Sequence, residues 1–275
     1  MLSDEEQLKQ LRKDIFLTAY AGGIGHIPSA YSIVEILYAL YCKGILKYDA
    51  KNPYWQDRDR LICSKGHASL AIYAVLSLIG CFPKEELKTF SRPGTRLGGE
   101  PNPLEIPYVE ASTGSLGHGL SIGVGMALAQ KIDKRDCKTY VIIGDGESQE
   151  GTIWEAAMSA VKFKLDNLTV ILDNNKVQKM GFVSDIMGIC DWHSKWESFG
   201  WEVYEADGHN LESLIKCFNA ESKKDKPKII IADTIKGKGV SIMENAPEWH
   251  YKMPNKRQMK IVMTQLNISE TELQK

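Results

Sequence analysis

Gly144-Asp145-Gly146-Glu147-Ser148-Gln149-Glu150-Gly151 follows the apolar run Tyr140-Val141-Ile142-Ile143. Further along, Asp173-Asn174-Asn175-Lys176 follows Leu168-Thr169-Val170-Ile171-Leu172. Each polar cluster therefore sits at the C-terminal end of an expected buried strand, where open α/β sheets bind ligands. A carboxylate from one strand end and an amide from the next can grip one hard cation from two sides. A glycine-flanked Asp before a helix N-terminus also lets backbone N–H groups approach a phosphate. An isolated Gly-Asp-Gly is equally compatible with a helix cap. Two such clusters after successive strands point to a metal–diphosphate site.

Working outward, strands are expected at 139–143, 168–172, 201–206 and 228–233, alternating with helices at 152–164 and 211–222. Continuous apolar strands in such alternation predict an α/β fold, a mostly parallel sheet with helices on both faces. Upstream, Leu8, Leu11, Ile15 and Phe16 recur at helical spacing within 5–20. Ser29 is a candidate cap for a second helix running to about Cys42, which Gly44 would stop. Arg60-Leu61-Ile62-Cys63 reads as a short strand, and His67 opens an apolar helix ending near Gly80. Pro83 can open a short helix at its first turn. In 117–132, Gly119, Ser121, Gly123, Gly125 and Ala127 form a small-residue helix. Each glycine costs about 0.8–1.0 kcal/mol against alanine, so several together imply close approach of a backbone or a ligand. Segments 91–115 and 174–200 read as irregular, and long loops in compact domains are usually functional. With no repeat or linker, residues 1–275 read as one domain.

The chain of 275 residues is 43% hydrophobic and 25% charged, ample for one α/β core. A net charge of −1 favours neither nucleic acid nor an anionic membrane surface. Cys42, Cys63, Cys81, Cys137, Cys190 and Cys217 are scattered, without zinc-like spacing, and read as reduced thiols of a cytoplasmic protein. The acidic N-terminus has no signal-peptide character, and no apolar run approaches the roughly 20 residues that span a bilayer.

Magnesium takes six oxygens, usually few from protein and the rest from phosphates and water. Asp145 offers a carboxylate oxygen, Asn175 an amide oxygen, and the Val177 backbone carbonyl is a natural third. Of six histidines, His26 lies in a glycine-rich turn, His67 in a strand-to-helix turn, His118 at a helix start and His250 in a loop beside Trp249. Such positions favour function over packing, with His118 equally open to a structural role, and imidazole titrates near neutrality. His193 and His209 read as structural. Lys236, in Ile235-Lys236-Gly237-Lys238-Gly239, either reaches a diphosphate or substrate or belongs to a solvated basic turn. Trp192, Trp196 and Trp201 read as packing residues.

At this point the residues resemble the thiamine-diphosphate motif, and the 144–151 segment looks like its transketolase version. Gly25-His26-Ile27-Pro28, Arg58-Asp59-Arg60, Ser64-Lys65-Gly66-His67-Ala68, Ser112-Thr113-Gly114-Ser115-Leu116-Gly117 and Trp249-His250 resemble further transketolase signatures, in family order. The resemblance implies thiamine diphosphate with Mg²⁺ or Ca²⁺ held by Asp145, Asn175 and the Val177 carbonyl. It places His67, Gly146 and His250 around the diphosphate, Gly114, Ser115 and Leu116 along the pyrimidine, and Ile235 in apolar contact with the cofactor. Glu147 and Lys236 join that set. His26 and His250 would face the reacting carbons, and Glu150 would be the buried interface glutamate that links paired cofactors.

The resemblance also implies transfer of a two-carbon ketol unit from a ketose, phosphorylated or an analogue, to an aldose. A full transketolase chain is more than twice this length, and its second domain supplies the glutamate and the aromatic that serve the aminopyrimidine. Neither has a place here. The implied arrangement is a split transketolase: a separate C-terminal, pyrimidine-binding subunit completes the site, in a two-plus-two heterotetramer, with 117–132 and Gln149-Glu150 at the interface. Two positions depart from the family pattern. Glu100, in Gly98-Gly99-Glu100-Pro101, replaces a substrate-facing histidine, and Tyr251 stands where glycine is usual after Trp249-His250. Both flank the expected substrate channel, so a branched, sulfonated or deoxy ketose is a candidate donor. The alternatives are a 1-deoxyxylulose-phosphate synthase-like or dihydroxyacetone synthase-like enzyme, and a non-catalytic regulatory subunit that keeps the fold. A Rossmann dehydrogenase would need Gly-x-Gly-x-x-Gly after a strand, which is missing.

Overall fold

The computed structural model describes residues 2–188 and 191–273. Its strands are β1 (Arg60–Cys63), β2 (Thr139–Gly144), β3 (Leu168–Asn174), β4 (Val177–Gln178), β5 (Gly181–Phe182), β6 (Glu202–Asp207) and β7 (Lys228–Asp233). Five of them form one parallel sheet in the order β1-β2-β3-β7-β6, while β4 and β5 pair as a small antiparallel hairpin. The register sets Gly144 beside Asp173 and Asn174 beside Asp233. The two polar clusters thus emerge at adjacent strand ends. Strand β3 runs two residues past the expected 168–172, so Asp173 lies inside the sheet.

Successive side chains of a strand point to opposite faces, and each face carries its own core. Ile62, Val141, Ile143, Val170, Leu172 and Ile229 point to one face. Leu61, Tyr140, Ile142, Ile171 and Ile230 point to the other.

The helices are α1 (Asp4–Gly22), α2 (Ile27–Tyr31), α3 (Val34–Cys42), α4 (Ser69–Leu78), α5 (His118–Ile132), α6 (Gly151–Lys162), α7 (Val183–Met187), α8 (Trp192–Ser198), α9 (Leu211–Asn219), α10 (Lys256–Leu266) and α11 (Glu270–Leu273). Ser3 and Glu6 close a capping box on α1, and Gly23 ends it at φ 69°. Helices α1 to α4, α9 and α10 cover the Leu61 face; α5, α6 and α8 cover the Ile62 face. Pro83 precedes a 3₁₀ turn at Lys84–Thr89, as its position predicts. Among the described residues no helix is long and apolar enough to cross a membrane. Five cysteines are free thiols, and Cys190 lies outside the described residues.

Three expectations about elements are corrected. Ser29 caps no helix: it sits inside α2, and the expected single helix is two, α2 and α3. Between them the Ser32 hydroxyl donates to the Ser29 carbonyl at 3.1 Å and to Asp173 at 2.7 Å. The segment 174–200 is not irregular, because it holds the β4–β5 hairpin, α7 and α8. Helix α8 is fixed by aromatic packing rather than by periodicity. Trp154 stacks on Trp192 with ring centroids 6.4 Å apart, and Trp196 lies 5.0 Å from both Trp154 and Trp201. The expected helix 211–222 stops at Asn219, where buried Lys228 donates to the carbonyls of Cys217, Phe218 and Ala220.

The glycines of α5 divide by face. A Cβ on Gly119 would lie 2.5 Å from the Ser64 side chain and 2.7 Å from its Cα, whereas one on Gly125 would meet nothing within 4 Å. Gly119→Ala is therefore expected to destabilise the chain by about 1–3 kcal/mol through overpacking. Gly125→Ala is expected to be neutral or to stabilise by up to about 1 kcal/mol through helix propensity. Urea midpoints of the two variants of the isolated chain check this.

Candidate functional site

The site begins at the end of β2. Asp145 is only 2% exposed. Its Oδ1 accepts the Gly146 N–H at 2.7 Å, and its Oδ2 accepts the Lys176 N–H, so one carboxylate ties together the two strand-end loops. Burial, reinforced by the nearby Asp173 charge, pushes its pKa up to about 7. A carboxylate so placed is poised for a cation. Asn175 is also buried. Its Oδ1 accepts the Val177 N–H at 3.1 Å and its Nδ2 donates to Asp173 at 2.8 Å, which fixes the amide orientation. The Val177 carbonyl accepts from the Lys236 ammonium at 2.7 Å, so positive charge already sits at that carbonyl, and a second lone pair remains.

Beneath this lies a pair for which the sequence alone suggests no role. Asp173 is 0% exposed and pairs with the Lys65 ammonium, itself 2% exposed. Asp173 also accepts from Ser32, Thr234 and Asn175. Lys65 donates to the Ser29 carbonyl at 3.1 Å. This buried knot joins α2, β3 and the loops after β1 and β7, and it orients Asn175. A lysine two positions past the apolar run Leu61-Ile62-Cys63 is the local signal of it.

Three of the predicted histidines meet. His26 lies 5.1 Å from His67 and 5.0 Å from His250 between ring centroids, and His67 lies 5.7 Å from His250. Burial first, then Lys236, Lys179 and Lys65, push His26 down to about 4. Burial, with Lys236 next, takes His250 down to about 3, and His67 is also held well below its ordinary value, again chiefly by burial. The ordinary imidazole pKa therefore does not describe these rings, which are neutral at pH 7. Lys236 donates to His250 Nδ1 at 3.1 Å, so the ring proton sits on Nε2. The Tyr251 ring lies against His26, centroids 4.4 Å apart and tilted by 45°.

His118 is exposed at the start of α5, and His193 pairs with Glu205 on the surface. His209 has a structural role with consequences for the site. Its Nδ1 donates to Glu35 at 2.9 Å, and its Nε2 accepts the Ile235 N–H at 2.8 Å, fixing the loop that carries Lys236.

A cavity of about 380 Å³ joins these groups. His26, His67, His250, Asp145, Gly146, Asn175, Val177 and Lys236 all line it, together with Glu100, Gly114, Leu116, Glu147 and Glu150. Ser115 and Ile235 are outside the lining. Glu147 braces the loop: it accepts from the Ser64 hydroxyl, the Gly117 N–H at 2.8 Å and the Gly144 N–H at 3.0 Å. Glu150 is exposed. The Glu100 carboxylate would lie 2.1 Å from a Cβ on Gly114, so it rests directly on that glycine. Ser69 and Tyr73 hold the preceding loop through the carbonyls of Gly99 and Gly98 at 2.7 and 2.9 Å. The long segment 91–115 is thus fastened as a wall of the cavity.

The residues fit a diphosphate with a divalent cation. The cavity collects the cations Lys65, Lys179 and Lys236 around the buried Asp145. It also holds buried amide donors with no acceptor among the described residues, Gln149 Nε2 and Gln178 Nε2. No group of three His, Cys, Asp or Glu side chains could hold a metal among the described residues. A cation here would rest instead on one carboxylate, one amide, a carbonyl and oxygens of its ligand, a donor set that suits a hard ion such as Mg²⁺ rather than Zn²⁺.

Comparison with known proteins agrees. Residues 6–271 match the family described as transketolase, thiamine diphosphate binding domain. The chain is 39% identical over 272 residues to an apulose-4-phosphate transketolase subunit of Phocaeicola vulgatus, covering 98% of this chain and 96% of that one. It is 45% identical over 223 residues to a 6-deoxy-6-sulfo-D-fructose transketolase subunit of Clostridium sp., covering 81% of each. Among solved structures, transketolase from Campylobacter jejuni superimposes with a TM-score of 0.85 at 31% identity, covering 99% of this chain and 45% of that one. A Pichia stipitis transketolase in complex with sedoheptulose 7-phosphate gives 0.89 at 26%, covering 98% and 42%. The chain therefore spans less than half the length of those two crystallised enzymes.

The chain belongs to the transketolase family and is a thiamine-diphosphate-binding domain. More particularly, it is the N-terminal type of transketolase subunit, active as part of a split enzyme.

Proposed function

We propose that this chain anchors thiamine diphosphate through Mg²⁺, with Asp145, Asn175 and the Val177 carbonyl as the protein ligands. A separate C-terminal chain supplies the pyrimidine side, in a two-plus-two assembly in the cytosol. When bound, the cofactor supplies the nucleophile and electron sink that break the C2–C3 bond of a ketose. The protein groups then do the positioning. Lys236 supplies positive charge and a hydrogen-bond donor for the diphosphate, and the neutral His67 ring a further donor, while Lys65 stays in its buried pair with Asp173. His26 and His250 are neutral at pH 7; His26 keeps one donor and one acceptor nitrogen and can orient a sugar hydroxyl or relay its proton, while His250, whose Nδ1 accepts from Lys236, presents its Nε2–H as a donor. Bound phosphate charge would raise their pKa from the low values set by burial and by the lysines. Glu150 is exposed beside the cavity, which supports a role at the contact between chains. Gly114 and Leu116 are exposed too, as surfaces awaiting a second chain would be.

The donor is proposed to be an atypical ketose. Glu100 puts a carboxylate against Gly114 where a substrate-facing histidine is usual, and the Tyr251 ring lies tilted against His26. A carboxylate accepts hydrogen bonds from hydroxyls and repels anions close by. The relatives named for apulose 4-phosphate and 6-deoxy-6-sulfo-D-fructose support such a donor.

The observation that carries the proposal is the meeting of His26, His67 and His250 over the same cavity as Asp145 and Asn175. The test is to reconstitute this chain with its complementary chain and follow two-carbon transfer from a panel of branched, deoxy and sulfonated ketoses, xylulose 5-phosphate and pyruvate. Transfer from an atypical ketose at least about tenfold above xylulose 5-phosphate in kcat/KM, about 1.4 kcal/mol in selectivity, is expected. Glu100→His is expected to narrow that ratio. Pyruvate as the preferred donor would overturn the ketol-transfer reading. Equal turnover of xylulose 5-phosphate would overturn the atypical donor.

A further inference from the structure

We infer that Gln178 is a further diphosphate ligand, donating from its side-chain amide. The inference rests on the cofactor site proposed above and adds to it a residue outside the metal and cofactor sets already named.

Gln178 closes the two-residue strand β4, where it pairs with Gly181. Its backbone position is set by neighbours on both sides. The Val177 N–H donates to Asn175 and the Val177 carbonyl accepts from Lys236. Beyond the hairpin, the Val183 N–H donates to the Lys176 carbonyl at 2.9 Å. Successive side chains of a strand point oppositely. The Val177 side chain is buried, and Gln178 lines the cavity beside it.

There the Gln178 side chain lies against Gly146: a Cβ on that glycine would be 2.9 Å from Gln178 Cβ and 3.0 Å from its Oε1. Nε2 is shut off from solvent and has no hydrogen-bond partner among the described residues. Buried amide donors are nearly always paired, and a rotation about the terminal side-chain torsion of Gln178, which lines the cavity, turns this one toward an acceptor carried by a ligand there. The nearby Asp145 carboxylate already accepts from Gly146 and Lys176. The flanking residues identify which part of the ligand it meets. Gly146 and Val177 belong to the proposed metal–diphosphate end, and the Gln178 side chain lies directly against Gly146. Gln149 Nε2 is likewise unpartnered, but it adjoins the exposed Glu150 at the edge where a second chain is proposed.

The test is a titration of the reconstituted two-chain enzyme with thiamine diphosphate at fixed Mg²⁺. Binding is followed by calorimetry, and displacement by inorganic pyrophosphate is measured in parallel. Gln178→Leu is expected to weaken thiamine diphosphate about tenfold, and pyrophosphate by a similar factor, with KM for the ketose little changed at saturating cofactor. Gln178→Glu has the same size and a charge of the wrong sign, so it is expected to weaken both further; it carries the test if the leucine variant does not fold. Asp145→Ala runs alongside. Unchanged binding in both Gln178 variants, with binding lost in Asp145→Ala, would overturn the role of Gln178 and leave the cofactor site standing. A raised ketose KM with unchanged cofactor and pyrophosphate affinity would overturn it in favour of a sugar contact. Binding unchanged in all three variants would overturn the site itself.

Discussion

Asp145→Ala is expected to abolish metal-dependent cofactor binding and two-carbon transfer in the reconstituted enzyme while leaving the isolated chain as stable as the wild type. Removing groups that only orient metal ligands typically costs about 10–100-fold in metal affinity, so loss of the one carboxylate among the proposed ligands should exceed roughly 100-fold. The stability side follows from opposing terms. Asp145 is 2% exposed, and its charge is disfavoured by burial and by Asp173. Alanine removes that penalty but forfeits the bonds from the Gly146 and Lys176 N–H groups. Each such bond contributes about 1.5–3 kcal/mol when it involves a charged group. The terms nearly offset, so the apo unfolding midpoint should move by no more than about 1 kcal/mol equivalent. Asp145→Asn keeps the shape and one oxygen and should fall between wild type and alanine in metal affinity. A residue kept only to cap the following turn would behave oppositely, with stability lost and cofactor binding retained. Full activity in Asp145→Ala would sink the cofactor-anchoring role and, with it, the catalytic reading.

How far the sequence reaches follows from what each signal depends on. Tyr140 to Ile143 and Leu168 to Leu172 are apolar on both faces because helices cover both faces of the sheet, so one local pattern reports both strand and topology. The polar residues that follow such runs lie at strand ends by geometry, which makes Asp145 and Asn175 readable. Helix α8 is not readable, because its seven residues are held by Trp154, which comes from a distant helix. The break between α2 and α3 is hidden for the same reason, as Ser32 turns toward Asp173, which lies 141 positions away. His209 offers no local signal either: its partners Glu35 and Ile235 come from two other parts of the chain. The histidine cluster is expected from family resemblance, but its electrostatics are not. Neutral imidazoles result from burial and from Lys65, Lys179 and Lys236, none of which adjoins His26 in sequence.

Lys65→Met is expected to produce the largest loss of stability of any substitution at the site. Lys65 and Asp173 are 2% and 0% exposed, and their ion pair is closed over by Ser32, Thr234, Asn175 and the Ser29 carbonyl. Methionine fills most of the lysine volume, so the cavity term is small and the charge term decides. Removing one partner leaves Asp173 as an uncompensated buried charge, which typically costs about 3–5 kcal/mol. For a chain of this size each kcal/mol moves the thermal midpoint by roughly 2–4 °C, so a fall of roughly 6–20 °C is expected. Asp173→Asn leaves Lys65 unpaired and should also destabilise. The double variant Lys65→Met/Asp173→Asn has no bare charge, and its loss should be smaller than the sum of the two single losses by more than about 1 kcal/mol, the signature of direct coupling. The functional consequence runs through Asn175. Its Nδ2 donates to Asp173, so an Asp173 that shifts or neutralises releases the amide whose oxygen is proposed to meet the metal. Lys65→Met is therefore expected to weaken Mg²⁺-dependent cofactor binding even at temperatures where the fold persists. Asp145→Ala should lose binding without losing stability. That contrast separates the residue that meets the ligand from the pair that holds the scaffold beneath it. A loss of less than about 1 kcal/mol in Lys65→Met would show that this pair is not the buried charge pair described, because exposed pairs are worth that little.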